Sequence, residues 1–99
     1  MKSKILYFYH MDAVMVEKAA NAIADKHRLS ILMAAAQQTA IQCCAITELT
    51  GLSQPTVSHH IKILVDSGVL IYDKTGRTVQ LTINKEMMKY LSVFFGKLS

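Results

Sequence analysis

Two clusters of side chains in this sequence have types and spacings that could do chemistry. The first lies in Ser53-Gln54-Pro55-Thr56-Val57-Ser58-His59-His60-Ile61-Lys62-Ile63-Leu64. At about 100° per residue, a helix through this stretch turns Pro55, Thr56, His59 and Lys62 to one side, with Ser58 and His60 on its flanks. Hydroxyls, imidazoles and one cation gather there, and no carboxylate follows until Asp66. Short polar groups at the N-terminal end of a helix can enter a DNA major groove and meet base edges. Taken alone, the pattern fits an ordinary amphipathic helix better. The second cluster is Cys43-Cys44. Thiolates select soft or borderline metals and metalloids, but adjacent cysteines on a helix diverge by about 100° and chelate poorly by themselves. A further ligand would have to come from elsewhere, with His10 or a residue of a partner chain as candidates. The same pair suits redox or thiol chemistry, or two small buried hydrophobes. His59 and His60 lack the i, i+4 spacing that lets two imidazoles share a metal on a helix, so contact with DNA is their better reading.

Elements of a recognisable kind surround these residues. Ser53 is placed to cap the helix through its hydroxyl, and Pro55 sits in the first turn, where a missing N–H costs little. Val57, Ile61, Leu64 and Val65 form its buried stripe. Before it, Ala45–Thr50 reads as a short helix with Ile46 and Leu49 inward, Gly51 as its left-handed end and Leu52 as an anchor. Helix, glycine turn and capped second helix make a helix-turn-helix. After Gly68, Val69–Lys74 and Arg77–Ile83 flank a Thr75-Gly76 turn; Val79, Leu81 and Ile83 alternate with Thr78, Gln80 and Thr82 as in a half-buried strand. This hairpin, tipped by Lys74 and Arg77, is a wing. Ala40-Ile41-Gln42 is a candidate third strand that pairs with the wing. Elsewhere, Asp12 is placed to cap a helix to Ala24, with Val16, Ala19, Ala20 and Ile23 along one side. Asp25 caps the next, with Leu29, Leu32 and Met33 inward, and Gln37-Gln38-Thr39 is a loop. Asn84 caps a last helix, Lys85–Phe95, that Gly96 ends, with Met87, Leu91, Phe94 and Leu98 as its stripe and Met88 and Phe95 widening it. Residues 1–10 read as an arm or an early turn of the first helix. The fold class is mainly α with a small wing: about five helices and a two- or three-stranded antiparallel sheet.

Three segments resemble the ArsR/SmtB family of small dimeric repressors. Ala22–Leu32 is similar to the family's A-L-A-D-P-T-R-L-x-I-L, Gly51–Lys62 is similar almost residue for residue to its recognition helix, and Gly76–Asn84 resembles its wing. The match runs in one register over roughly residues 12 to 95. The resemblance implies a homodimer in which the terminal helix packs with the first across a two-fold axis, so that residues 1–24 and 84–99 form the dimerisation region. It also implies an effector site at the head of the helix before the recognition helix, often Cys-x-Cys. Cys44 falls on the second cysteine of that motif, Gln42 takes the place of the first, and Cys43 is the spacer. The family's other site needs His and carboxylates on the last helix, where only Glu86 stands, so zinc there is not expected.

The 99 residues make one domain, 1–99, with 52% apolar and 18% charged residues. So apolar a surface favours a buried interface. A net charge of +4 and a pI near 9.2 suit a polyanionic partner. Adjacent cysteines are no disulfide framework, which points to reduced thiols and a cytoplasmic protein. The apolar run Ile5–Tyr9 is too short for a signal peptide or a membrane span. The function expected is a homodimeric repressor on a pseudo-palindromic operator. Gln54, Thr56, Ser58, His59 and His60 are its candidate base-edge or nearby contacts; Lys62, Lys74 and Arg77 are candidates for phosphate or minor groove. Its effector would be a thiophilic metal or metalloid near Cys43 and Cys44, with a redox- or sulfur-responsive or an effector-independent repressor as alternatives. A winged-helix module that binds protein is a further alternative, against which Thr56, Ser58 and His59 argue. An enzyme is not expected: a Cys–His pair is conceivable, but no oxyanion device or pocket signature accompanies it.

Overall fold

Nothing in residues 2–23 interrupts a helix, since the stretch contains neither glycine nor proline. The structure, a computed structural model, describes residues 2–38 and 40–99, with side chains from Ala13 onward. In it α1 spans Lys2–Ile23 without a break. Asp12 therefore lies inside α1 and not at its start; whatever its side chain does is outside the described residues, as are Thr39 and the side chain of His10. Val16, Ala19 and Ala22 are buried, while Ala20 faces out.

Asp25 starts α2, Lys26–Gln37, as expected: its carboxylate accepts from the N–H groups of His27 at 2.9 Å and Arg28 at 3.0 Å. Those hydrogen bonds, the Arg28 one first, hold the Asp25 carboxyl below its ordinary pKa against the opposing effect of burial. The inward stripe of α2 differs from the expected one. Ile31 and Ala35 are buried, Leu32 is half-buried, and Leu29 and Met33 are exposed. From Leu29 to Ala36 only Ser30 is polar, so periodicity could not choose a face.

The strand β1, Ile41–Gln42, leads directly into α3, Cys43–Thr50. Ile46 is fully buried, but Leu49 is 50% exposed and not inward. Gly51 ends α3 at φ +71° and its N–H donates to Thr47 O at 2.9 Å, a left-handed end that a Cβ would strain. The helix α4, Gln54–Asp66, buries Val57, Ile61 and Leu64 and half-buries Val65. Then β2, Leu70–Thr75, and β3, Thr78–Ile83, form the hairpin around Gly76-Arg77. Gly76 has φ +63° and Arg77 does not have positive φ, the pattern of a II′ hairpin turn. The sheet is antiparallel in the order β1-β3-β2, with Ile41 opposite Leu81 and Tyr72 opposite Leu81 on the other side.

Asn84 caps α5, Lys85–Lys97, by accepting from Met87 N at 3.1 Å. Gly96 does not end α5; the helix continues one residue further. The core joins Ala19 and Ala22 of α1, Ile31 and Ala35 of α2, Ile41, Ile46, the α4 stripe, Val69, Leu70 and Leu81. No residue of α5 is buried: Met87, Met88 and Leu91 pack against this core from outside, while Phe95 and Leu98 stay exposed. Among the described residues, no helix is long and apolar enough to cross a membrane.

Candidate nucleic-acid interface

Burial of Val57, Ile61 and Leu64 fixes the rotation of α4. It leaves Gln54, Thr56, Ser58, His59 and Lys62 exposed. Ser53 occupies the cap position without capping: its hydroxyl is 2.9 Å from that of Thr56, and no first-turn amide donates to it. The two hydroxyls hold each other at the leading end of the exposed face. Lys62 Nζ lies 3.1 Å from Asp66 Oδ2, with both side chains largely exposed. An i, i+4 pair of this kind contributes only about 0.3–0.5 kcal/mol, so the ammonium is readily exchanged to a phosphate. Alongside α4 runs a groove of about 460 Å³ toward the wing, lined by Gln54, Ser58 and Lys62 on one side, Tyr72 and Val79 on the other, and Cys43. Lys74 on β2 and Arg77 in the turn are exposed.

His60 stands apart from the other candidate contacts. It is half-buried on the flank that meets α2. Arg28 Nη1 lies 3.2 Å from its Nδ1, and the ring centroids of His27 and His59 are 6.1 and 6.2 Å away. A guanidinium has donors only, so Nδ1 accepts and the ring proton sits on Nε2. Burial first lowers the imidazole pKa below its ordinary 6.5; Asp25 opposes this, and Arg28, His27 and His59 reinforce it. The neutral ring is thus the form that this surrounding favours. Among the described residues, the Arg28 side chain forms no ion pair with a carboxylate. Its Nε donates to Ala22 O at 2.6 Å and its Nη2 to Asn21 O at 3.3 Å. His27, in the first turn of α2, is half-buried beside His60.

The strand β1 decides where the cysteines sit. Gln42 pairs with Gln80, so the head of α3 lies against β3. Gln42, Cys43 and Cys44 face Arg77, Thr78 and Val79 across a cleft of about 250 Å³. Cys44 is exposed, and its Sγ lies 3.5 Å from Gln42 Oε1. Cys43 is half-buried; burial and then the neighbouring Cys44 push its thiol pKa up, which disfavours the thiolate. Among the described residues, no three of His, Cys, Asp and Glu come together as metal ligands. Two thiols, one of them held in the thiol form, fall short of the three or four donors that a closed thiophilic site uses. Sequence reasoning found the polar face of α4 and missed two features: the Arg28–His60 link, which joins positions 32 apart, and the closeness of the cysteines to the wing. The second had a signal, the expected pairing of strand 40–42 with the wing.

The family model described as "Bacterial regulatory protein, arsR family" matches residues 25–72. The arsenical resistance operon repressor of Bacillus subtilis is 30% identical over 70 residues, which cover 71% of this chain and 67% of that protein. The cadmium resistance transcriptional regulatory protein CadC homolog of Staphylococcus aureus is 28% identical over 76 residues, covering 77% of this chain and 63% of that protein. The matched part is thus about two thirds of the length of these relatives. Among solved structures, the homodimeric winged helix-turn-helix DNA-binding domain of a possible ArsR-family regulator of Mycobacterium bovis superposes with a TM-score of 0.71 at 22% identity, covering 87% of this chain and 80% of that one. At this identity the likeness speaks for the fold.

Proposed function

The chain belongs to the arsR family of bacterial regulatory proteins, and on that footing we propose that it acts in the cytoplasm as a homodimeric, sequence-specific repressor of transcription. The exposed row of Gln54, Thr56, Ser58 and His59 on a helix whose other face is locked into the core carries this reading. Two such helices, one per protomer, enter successive major grooves about 34 Å apart on a pseudo-palindromic operator. Residues 1–24 and 84–99 form the dimerisation region. Gln54, Thr56, Ser58 and His59 meet base edges; Lys62, Lys74 and Arg77 meet phosphate or the minor groove. His59→Ala and Ser58→Ala therefore lower operator affinity by on the order of 1–3 kcal/mol each and leave non-specific binding nearly unchanged. Arg77→Ala weakens all sequences alike and flattens the slope of log affinity against log salt by about one unit. Titrations of operator and scrambled duplexes at several salt concentrations measure both. An unchanged operator preference in His59→Ala would mean that α4 presents another face to the DNA.

The effector is sensed at the head of α3. The relatives named for arsenical and cadmium resistance support a thiophilic ion, and the cleft between Cys43-Cys44 and the wing supports the place. The departure at Gln42 puts an amide oxygen where a first thiol would stand, so ligation takes a further donor, with His10 or the partner protomer as its source. A ligand drawn into this cleft shifts α3 against β3, and with it the wing against α4. That is a coupling free energy between effector and DNA sites. Cys44→Ser abolishes the response to the effector and spares DNA binding, whereas Cys43→Ser does less, because its thiol is half-buried and held protonated. The measurement is release from DNA on titration with arsenite, cadmium, zinc, an oxidant and a polysulfide. A wild type that ignores all five, or a Cys44→Ser protein that responds as the wild type does, would show the pair to be structural.

A further inference from the structure

Arg28 touches three elements at once. Its Nε and Nη2 donate to the carbonyls of Ala22 and Asn21, which belong to the last turn of α1. Its own N–H is held by the Asp25 carboxylate at the start of α2. Its Nη1 donates to His60 Nδ1 on α4. Helix carbonyls in a last turn have no partner within the helix and carry the negative end of its dipole, so a cation is favoured there. The guanidinium is planar and its donors are fixed in direction, so satisfying the three acceptors together fixes the relative pose of the two helices that offer them. Among the described residues, Ala19 and Ala22 of α1 otherwise share one apolar core with the α4 stripe, and such packing resists separation but has no directional preference.

We infer that Arg28 is a positioning residue that sets the angle of the reading helix α4 against the dimerisation helix α1, with His60 as its acceptor on α4. The inference rests on the dimeric, DNA-reading function proposed above. In that dimer, α1 is tied to the two-fold axis and α4 to the DNA, so a change of angle between them appears twice over in the distance between the two reading helices. Arg28 and His60 then determine which half-site spacing the protein accepts, although neither touches a base.

The test uses the full chain and duplexes whose half-sites are set at successive one-base-pair spacings around one helical turn, about 10 base pairs. Arg28→Ala and His60→Leu are expected to keep wild-type helicity by circular dichroism and wild-type affinity for random duplex. They are expected to lose about tenfold in preference for the best spacing, the scale of one lost hydrogen bond to a charged donor. His60→Asn, whose amide oxygen falls near the place of Nδ1, is expected to restore the preference; Arg28→Lys, with one head for three acceptors, is not. A second readout needs no DNA. The ¹⁵N spectrum of His60 should show Nδ1 as a hydrogen-bond acceptor in the wild type and a changed tautomer mixture in Arg28→Ala. Unchanged spacing preference in His60→Leu and Arg28→Ala would overturn the inference, as would equal loss in His60→Asn and His60→Leu, which would make His60 a direct reader. If the wild type shows no spacing preference at all, the dimeric reading fails, and the ¹⁵N spectra alone decide whether Arg28 holds His60.

Discussion

Phe95→Glu is expected to give a folded monomer that has lost operator binding. Phe95 is 53% exposed, and its ring meets Phe94 edge-on at 5.6 Å without reaching the core. A carboxylate there costs an isolated protomer little. In the proposed dimer the same position is covered by the partner, where an unpaired charge costs several kcal/mol of desolvation. Separating the protomers removes the second half-site contact, and with it about 10²–10⁴-fold in operator affinity. Leu91→Glu is a poorer test, because Leu91 packs against the protomer's own core and its loss confounds folding with assembly. Sedimentation equilibrium at micromolar concentration, with circular dichroism alongside, checks the expectation. Wild-type mass and operator affinity in Phe95→Glu would place the two-fold axis elsewhere.

Leu64→Ala is expected to cost about 2–5 kcal/mol of folding stability. Leu64 is fully buried toward the C-terminal end of the α4 stripe, where α4 meets the rest of the core. For a domain of this size that is a large share of the roughly 5–15 kcal/mol available, and it corresponds to a melting point lowered by more than about 10 °C. Leu49→Ala, at a residue 50% exposed, is expected to stay within about 1 kcal/mol. Thermal melts at equal protein concentration compare the two, since dimerisation makes the melting point concentration-dependent. Equal losses in the two variants would mean that Leu49 is covered in the assembled protein.

These variants mark where sequence pattern was and was not sufficient. The helix α4 was legible because a proline and a polar face bracket its apolar positions, so only one rotation buries Val57, Ile61 and Leu64. The wing was legible because its alternation has period two and its turn contains a glycine with positive φ. Leu29, Met33 and Leu49 were misplaced because α2 is apolar on most of its circumference, and because α3 is only 8 residues long, too short for its period to outweigh its surroundings. The start of α1 was set at Asp12 on capping chemistry, but a capping residue type is no stop signal when no breaker precedes it. For the candidate site, each exposed side chain could be named from residue type. The neighbours could not: the link from Arg28 to His60 and the cleft between the cysteines and Arg77 exist only once the helices and the sheet have packed.

The order β1-β3-β2 leaves the two sides of the sheet unequal. On one side the outermost strand is two residues long, and α3 begins immediately after it. On the other, the six residues of β2 form a free margin along which all but Leu70 are exposed, Ile71 and Tyr72 among them. Such a margin is a template to which another strand can add, and charge along it is a common defence. Here that defence amounts to Asp73 and Lys74, which as consecutive strand residues point to opposite faces of the sheet, so each charge guards one face. Lys74, proposed above as a phosphate contact, would then have a second task at the sheet edge. In protein free of DNA, self-association should begin at the wing, and neutralising Lys74 should lower solubility before it alters the fold.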